Sequence, residues 1–150
     1  MAKESCKTRL QNLLAMLRAA QIVHHNAHWQ TSGPSFNGDH AMYAALYGAI
    51  DDEYDTLAEK MVVMCGVDCV DAVPQLKLIT TVVTRAVEAT DDLPKRSLMI
   101  EEGLQTVLEA VRSYLDKEKE LDMGMDNFLQ GLADSHQKAV YMLTQRTRAK

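Results

Sequence analysis

The chain has 150 residues, enough to bury one substantial core and too few for two ordinary domains. Hydrophobic residues make up 47% and aromatic ones only 5%, a mix rich in Leu, Ala, Met and Val that suits helices better than sheet. Acidic residues outnumber basic ones 21 to 16, so a general drive toward phosphate backbones is excluded and metal cations are the better-matched partners.

The first helix is expected from about Lys3 to Gln30, with Leu10, Leu14, Leu17, Gln21, His24 and His28 on one seam and Leu13 beside it. It stops before residues 31–38, where two glycines and Pro34 interrupt any helix. Asp39 is placed to cap a second helix that runs to about Cys65 and ends at Gly66. The connection from Val67 to Asp92 is too long for a bare loop, and the residues after Pro74 suggest a short helix within it. A crossover of that length lets the second and third helices lie parallel, the topology of ferritin-like bundles. The third helix begins near Asp92-Leu-Pro94 and runs to about Lys119. After a break at residues 123–126 the fourth runs to about Arg146, with Phe128, Leu132 and Val140 on its buried side. The reading is all-α: one domain over residues 1–150, a ferritin-like four-helix bundle with a short extra helix in the crossover.

No run approaches 18 consecutive apolar residues, and the first 30 carry no signal-peptide core, so a cytoplasmic protein without a membrane partner is expected. Three cysteines, Cys6, Cys65 and Cys69, argue against a secreted disulfide framework, and Cys65 and Cys69 read as two small, semi-buried thiols at a helix end. The nine methionines read as core filler, and His136 as ordinary. Lys3, Lys7 and Arg9 at one end and Arg146, Arg148 and Lys150 at the other offer only a thin footing for DNA. The acidic run from Asp116 to Asp122, with Asp126, reads as a solvated helix end.

The chemistry concentrates between His28 and Lys60. His28 closes one helix and His40 opens the next, so a short loop brings both imidazoles to one end of the bundle. Asp55 and Glu59 stand one turn apart on a shared face. Two imidazoles and two carboxylates suit Fe(II), and less selectively other divalent ions such as zinc. Yet His40 and Asp55 are separated by roughly 22 Å of helix at 1.5 Å per residue. If they cooperate, the site lies between two subunits across a two-fold axis. No Glu-x-x-His occurs in the chain, which disfavours the alternative site inside a single bundle.

The run H-W-Q-x-x-G-P-x-F-x-x-x-H, followed by D-E-Y-D-T-L-A-E-K, resembles the Dps mini-ferritins (DNA-binding proteins from starved cells). The resemblance is weaker elsewhere but extends to the closing Lys138–Leu143 pattern. It implies a hollow homo-dodecamer built from two-fold dimers. Such a cage oxidises Fe(II), preferably with hydrogen peroxide, and stores ferric iron. His28 and His40 would be ligands from one subunit, Asp55 and Glu59 from the other, and Trp29 would stand beside the centre as an electron donor. One departure stands out: where the family places an aspartate, one turn after the second histidine, this chain has Ala44. The second iron position is then weak, water-filled or served by Asp51 or Asp52, and a slower ferroxidase is expected. The competing expectation is a ferroxidase-impaired cage with a structural, metal-sequestering or DNA-associated role. His24, sharing a face with His28, is a further candidate ligand.

Overall fold

A computed structural model describes residues 5–148; Lys3 and Lys150, two of the thin basic ends, lie outside them. Five α-helices and one 3-10 turn follow in order: α1 Cys6–Gln30, α2 Phe36–Cys65, the turn Val67–Val70, α3 Ala72–Ala89, α4 Leu93–Lys117 and α5 Met123–Thr147. Ser5 caps α1 by accepting from the Thr8 N–H at 3.2 Å, Asp92 caps α4 through the Lys95 N–H at 3.0 Å, and Asp122 caps α5 through the Met125 N–H at 2.7 Å. Gly66, at φ +87°, ends α2 in a conformation that side chains with a Cβ rarely adopt.

Topology follows from which ends meet. The last residues of α1 and the first of α2 and α4 share one end of the bundle with Arg146 of α5. Cys6, Cys65 and Tyr114, from the start of α1 and the far stretches of α2 and α4, share the other. Helices α2 and α4 therefore run in the same direction, as the long crossover predicts. The crossover helix α3 packs on α1 and α4, and at 18 residues it is longer than the short helix expected. Arg96 of α4 ties it down by donating to the Thr90 carbonyl at 2.7 and 3.1 Å.

The interior is built from 4-3 seams: Leu10, Leu14 and Leu17 on α1; Leu104, Leu108, Val111 and Leu115 on α4; Met125, Leu129, Leu132, Ala139 and Leu143 on α5. Each buried leucine contributes roughly 1.5–3 kcal/mol relative to exposure. The buried stripe of α5 is rotated from the expected one, so Phe128 and Val140 flank it while Leu132 lies within it.

Three expectations are corrected. Helix α2 begins at Phe36, placing Asp39 in its first turn; the Asp39 carboxylate binds Arg146 instead of capping. Helix α5 begins at Met123, so the break before it comes a few residues earlier, at 118–122. Cys69 is fully buried, whereas Cys65 is semi-buried as expected; Cys6 is semi-buried too, and all three thiols are free. Burial pushes the Cys6 thiol up to about 12, with Glu120 and Cys65 beside it adding to the shift. Among the described residues no helix is long and apolar enough to cross a membrane.

Candidate metal centre

His28 lies in the last turn of α1 and His40 in the second turn of α2, and the five-residue link between the helices folds them together. Their rings stack at 3.6 Å between centroids. Each Nδ1–H donates to the other's backbone: His28 to the His40 carbonyl at 2.9 Å, His40 to the His28 carbonyl at 3.0 Å. In this tautomer Nδ1 is used on both rings and each Nε2 keeps its lone pair, the arrangement in which a backbone carbonyl orients a ligating imidazole. Both side chains are partly exposed.

The turn carrying His40 is anchored from outside. Arg146, near the end of α5, grips the buried Asp39 with two parallel bonds, Nε to Oδ1 at 2.7 Å and Nη2 to Oδ2 at 2.9 Å. The Asp39 carboxylate raises the Arg146 guanidinium further above its ordinary value. The C-terminal helix thus fixes the residue next to His40.

Asp55 and Glu59 lie on the exposed face of α2, away from the histidine pair of the same chain by the unbroken length of that helix. Ala44 is one turn beyond His40 and places no donor there. Asp51 accepts from the Gln21 amide and lies 3.7 Å from Arg18, so it is already engaged; Asp52 is exposed. Both stand roughly 17 Å along the helix from His40. Neither reaches the Ala44 position within one chain, but Asp52 shares the Asp55 face, one turn earlier. Trp29 is 67% exposed and packs against His25 with ring centroids 4.0 Å apart and the planes tilted by 37°.

Two readings of individual histidines are overturned. His24 does not join His28, because its side chain is buried in the bundle, where Nε2 meets Glu101 Oε1 at 2.6 Å and Nδ1 meets Ser97 Oγ at 3.0 Å. His136 is not ordinary: Nδ1 donates to Glu101 Oε2 at 2.6 Å and Nε2 to Glu53 Oε2 at 2.9 Å. The result is a buried chain from Ser97 through His24, Glu101 and His136 to Glu53, drawing on all four bundle helices. Burial alone would lower the His136 imidazole, but the two carboxylates outweigh it and raise it to about 9. Burial alone would raise Glu101, but the hydrogen bonds from His136 and His24 hold it down to about 2. Its members are joined end to end rather than around one point. Among the described residues no group of three or more His, Cys, Asp or Glu side chains is arranged to hold a metal.

The architecture has counterparts among solved structures. A Dps protein from Thermosynechococcus elongatus superposes with a TM-score of 0.79 over 97% of this chain and 91% of that one, at 17% identity. One from Vibrio cholerae O1, described as belonging to a broad superfamily of ferritin-like diiron-carboxylate proteins, gives 0.79 over 95% and 89%, at 19% identity. The chain has the ferritin-like fold of the Dps family. In sequence it is 34% identical over 68 residues to the DNA protection during starvation protein of Brevibacillus brevis, 40% of this chain and 46% of that protein. It is 25% identical over 121 residues to a low temperature-induced protein of Nostoc, 77% of this chain and 65% of that protein. The chain thus spans less than two thirds of the curated relatives it matches. No protein-family model matches it.

Proposed function

We propose that this Dps-like protein binds Fe(II) at a centre completed between two subunits and oxidises it with hydrogen peroxide. The ferric product is stored within a closed homo-oligomer, a dodecamer of two-fold dimers. The observation that supports this best is the reciprocal pairing of His28 and His40. Two imidazoles fixed at Nδ1 by each other's carbonyls, with both Nε2 lone pairs free, are prepared ligands for a ferrous ion or for zinc.

Asp55 and Glu59 supply the carboxylates. They are exposed, one turn apart and out of reach of their own histidines, so an isologous partner is the simplest source of the missing half-site. Charge favours this division of labour: carboxylates stabilise the ferric product, while imidazoles capture the ferrous substrate. Ala44 leaves the second iron position without its nearest carboxylate, and the partner's copy of Asp52, beside Asp55, is the group best placed to compensate. A cage that sequesters metal without rapid oxidation is the second reading, and Ala44 is the observation that favours it.

The deciding experiment follows Fe(II) oxidation with peroxide and with dioxygen alongside the mass of the particle in solution. Rapid peroxide-dependent oxidation by a particle of about twelve subunits is expected from the closed symmetry of such cages. Glu59→Ala should remove most of that oxidation and leave assembly intact. An assembled particle with background oxidation would select the passive cage, and unchanged kinetics in Glu59→Ala would remove that residue from the centre.

A further inference from the structure

The end of the bundle opposite the histidine pair gathers two thiols that the metal centre does not use. Cys6 is the first residue of α1 and Cys65 the last of α2, so the packing of these two antiparallel helices brings them together. They line one open cleft of about 620 Å³ with Met64, Tyr114 and Glu120. Within it the Cys6 thiol interacts directly with the Cys65 thiol and with the Glu120 carboxylate. Both thiols are free, half-buried and packed on the edge of the main core. Each helix end that carries them is fixed by its own contacts: Ser5 caps α1, and the Gly66 N–H donates to the Val62 carbonyl at 3.0 Å. Cys69, the third thiol, is sealed in the core and stands apart from the cleft. Roughly 37 Å of helix separates Cys65 from His40.

Two thiols in contact, held by fixed helix ends in a cleft open to small solutes, are set up for a two-electron oxidation. We propose that Cys6 and Cys65 are a peroxide-reactive pair that closes to a disulfide within the chain, without iron. In the first step the Cys65 thiolate attacks one oxygen of hydrogen peroxide. The O–O bond breaks, a sulfenic acid forms on Cys65, and the departing hydroxide takes up the proton lost from that thiol. In the second step the Cys6 sulfur attacks the sulfenic sulfur and the S–O bond breaks. The Cys6 proton passes through the adjacent Glu120 carboxylate to the departing hydroxide, which leaves as water. Two thiols are thus oxidised to one disulfide, and one peroxide is reduced to two waters. The order follows from the surroundings: burial first, and then Glu120, keep Cys6 protonated, which suits it to the second step rather than to attack on peroxide. The bond ties the start of α1 to the end of α2 and closes that hairpin opposite its loop. None of this rests on the ferroxidase reading.

The test titrates the metal-free protein with hydrogen peroxide in the presence of a chelator. One peroxide per chain should consume two of the three thiols and lower the mass by two hydrogens. Peptide mapping should find Cys6 joined to Cys65 of the same chain, and a thiol reductant should restore all three thiols. Cys6→Ser should leave a sulfenic acid on Cys65 that dimedone captures, and Cys65→Ser should leave Cys6 unmodified over the same time. Glu120→Gln should slow closure about tenfold or more and let the sulfenic acid build up. Burial is the larger cause of the Cys6 shift, so losing the base outweighs the acidity that the thiol regains. Three thiols surviving an excess of peroxide, or a bond mapped to another pair or between chains, overturns the inference. Sulfenic acid forming on Cys6 in Cys65→Ser as fast as the wild type closes overturns the order of steps, and unchanged closure in Glu120→Gln removes that carboxylate from the proton path. Because no iron is present, these outcomes stand apart from Fe(II) oxidation at the histidine pair, whose failure would leave the dithiol untouched.

Discussion

Glu101 holds a different imidazole on each carboxylate oxygen and is almost wholly buried, with 1% of its surface exposed. A buried carboxylate in that position is stable only because both partners donate to it; an amide there has no charge to balance the His136 imidazolium and one accepting oxygen in place of two. Glu101→Gln should destabilise the protein by about 3 kcal/mol or more on that reasoning. Thermal unfolding at fixed protein concentration measures it, and a change indistinguishable from zero would mean that the chain of bonds contributes nothing net. The Arg146–Asp39 clamp acts differently, because Arg146 is partly solvated and its worth lies in holding the turn next to His40. Arg146→Ala should cost about 1–3 kcal/mol by leaving the buried Asp39 unpartnered. It should also weaken zinc binding at the histidine pair in a competition titration. Undiminished zinc affinity would show that the His28–His40 pairing holds without the clamp.

At the scale of the elements, one glycine inside α2 and another at its end make a paired test. Gly66 sits at φ +87° and ψ 167°, so Gly66→Ala should cost about 1–3 kcal/mol through backbone strain. Gly38 lies in ordinary helix with open space where an alanine methyl group would project, and Gly38→Ala should gain roughly 0.5–1 kcal/mol from helix propensity. Equal effects at the two sites would contradict the assigned end of α2. The helices and their order were legible because each has a seam and a stop: Leu10, Leu14 and Leu17 in α1, Gly66 after α2, Asp92 and Pro94 opening α4. The histidine pair was legible too, as two imidazoles flanking a short loop, though its reciprocal hydrogen bonds were not. The interior chain was hidden for a specific reason. Glu101 and His136 fall on the 4-3 seams of α4 and α5, but a polar residue on a seam reads as an isolated exception until the helices are packed together. The signal available was that Gln21 and His24, Glu53, Glu101 and His136 interrupt four separate seams. Their cross-helix partners, 30 to 83 residues apart in the chain, are fixed only by the tertiary fold. Asp39 shows the same limit: capping is a local rule, and the long-range pull of Arg146 overrode it.

For the whole molecule, the interior chain links stability to pH, because it ties four helices through groups that titrate differently in the folded and unfolded states. His136 rises from its ordinary 6.5 to about 9. A raised folded value contributes stability that is fully present below pH 6.5 and lost as pH climbs through about 9. Glu101 falls from 4.5 to about 2, so its contribution is present above pH 4.5 and lost as pH drops through about 2. The two shifts arise largely from one shared contact and are counted once, giving at most roughly 3 kcal/mol at 1.36 kcal/mol per pKa unit. The melting temperature should therefore be highest between pH 4.5 and 6.5 and decline toward pH 9, with a second decline on the acid side. Glu101→Gln removes the negative charge that helps hold His136 protonated, so the alkaline decline should flatten in that variant while its melting temperature stays lower throughout. Glu53 still faces His136 on its other nitrogen and should preserve part of the slope. A wild-type melting temperature that is level from pH 6.5 to 9, or a slope identical in both proteins, would show that His136 does not carry its proton inside the bundle.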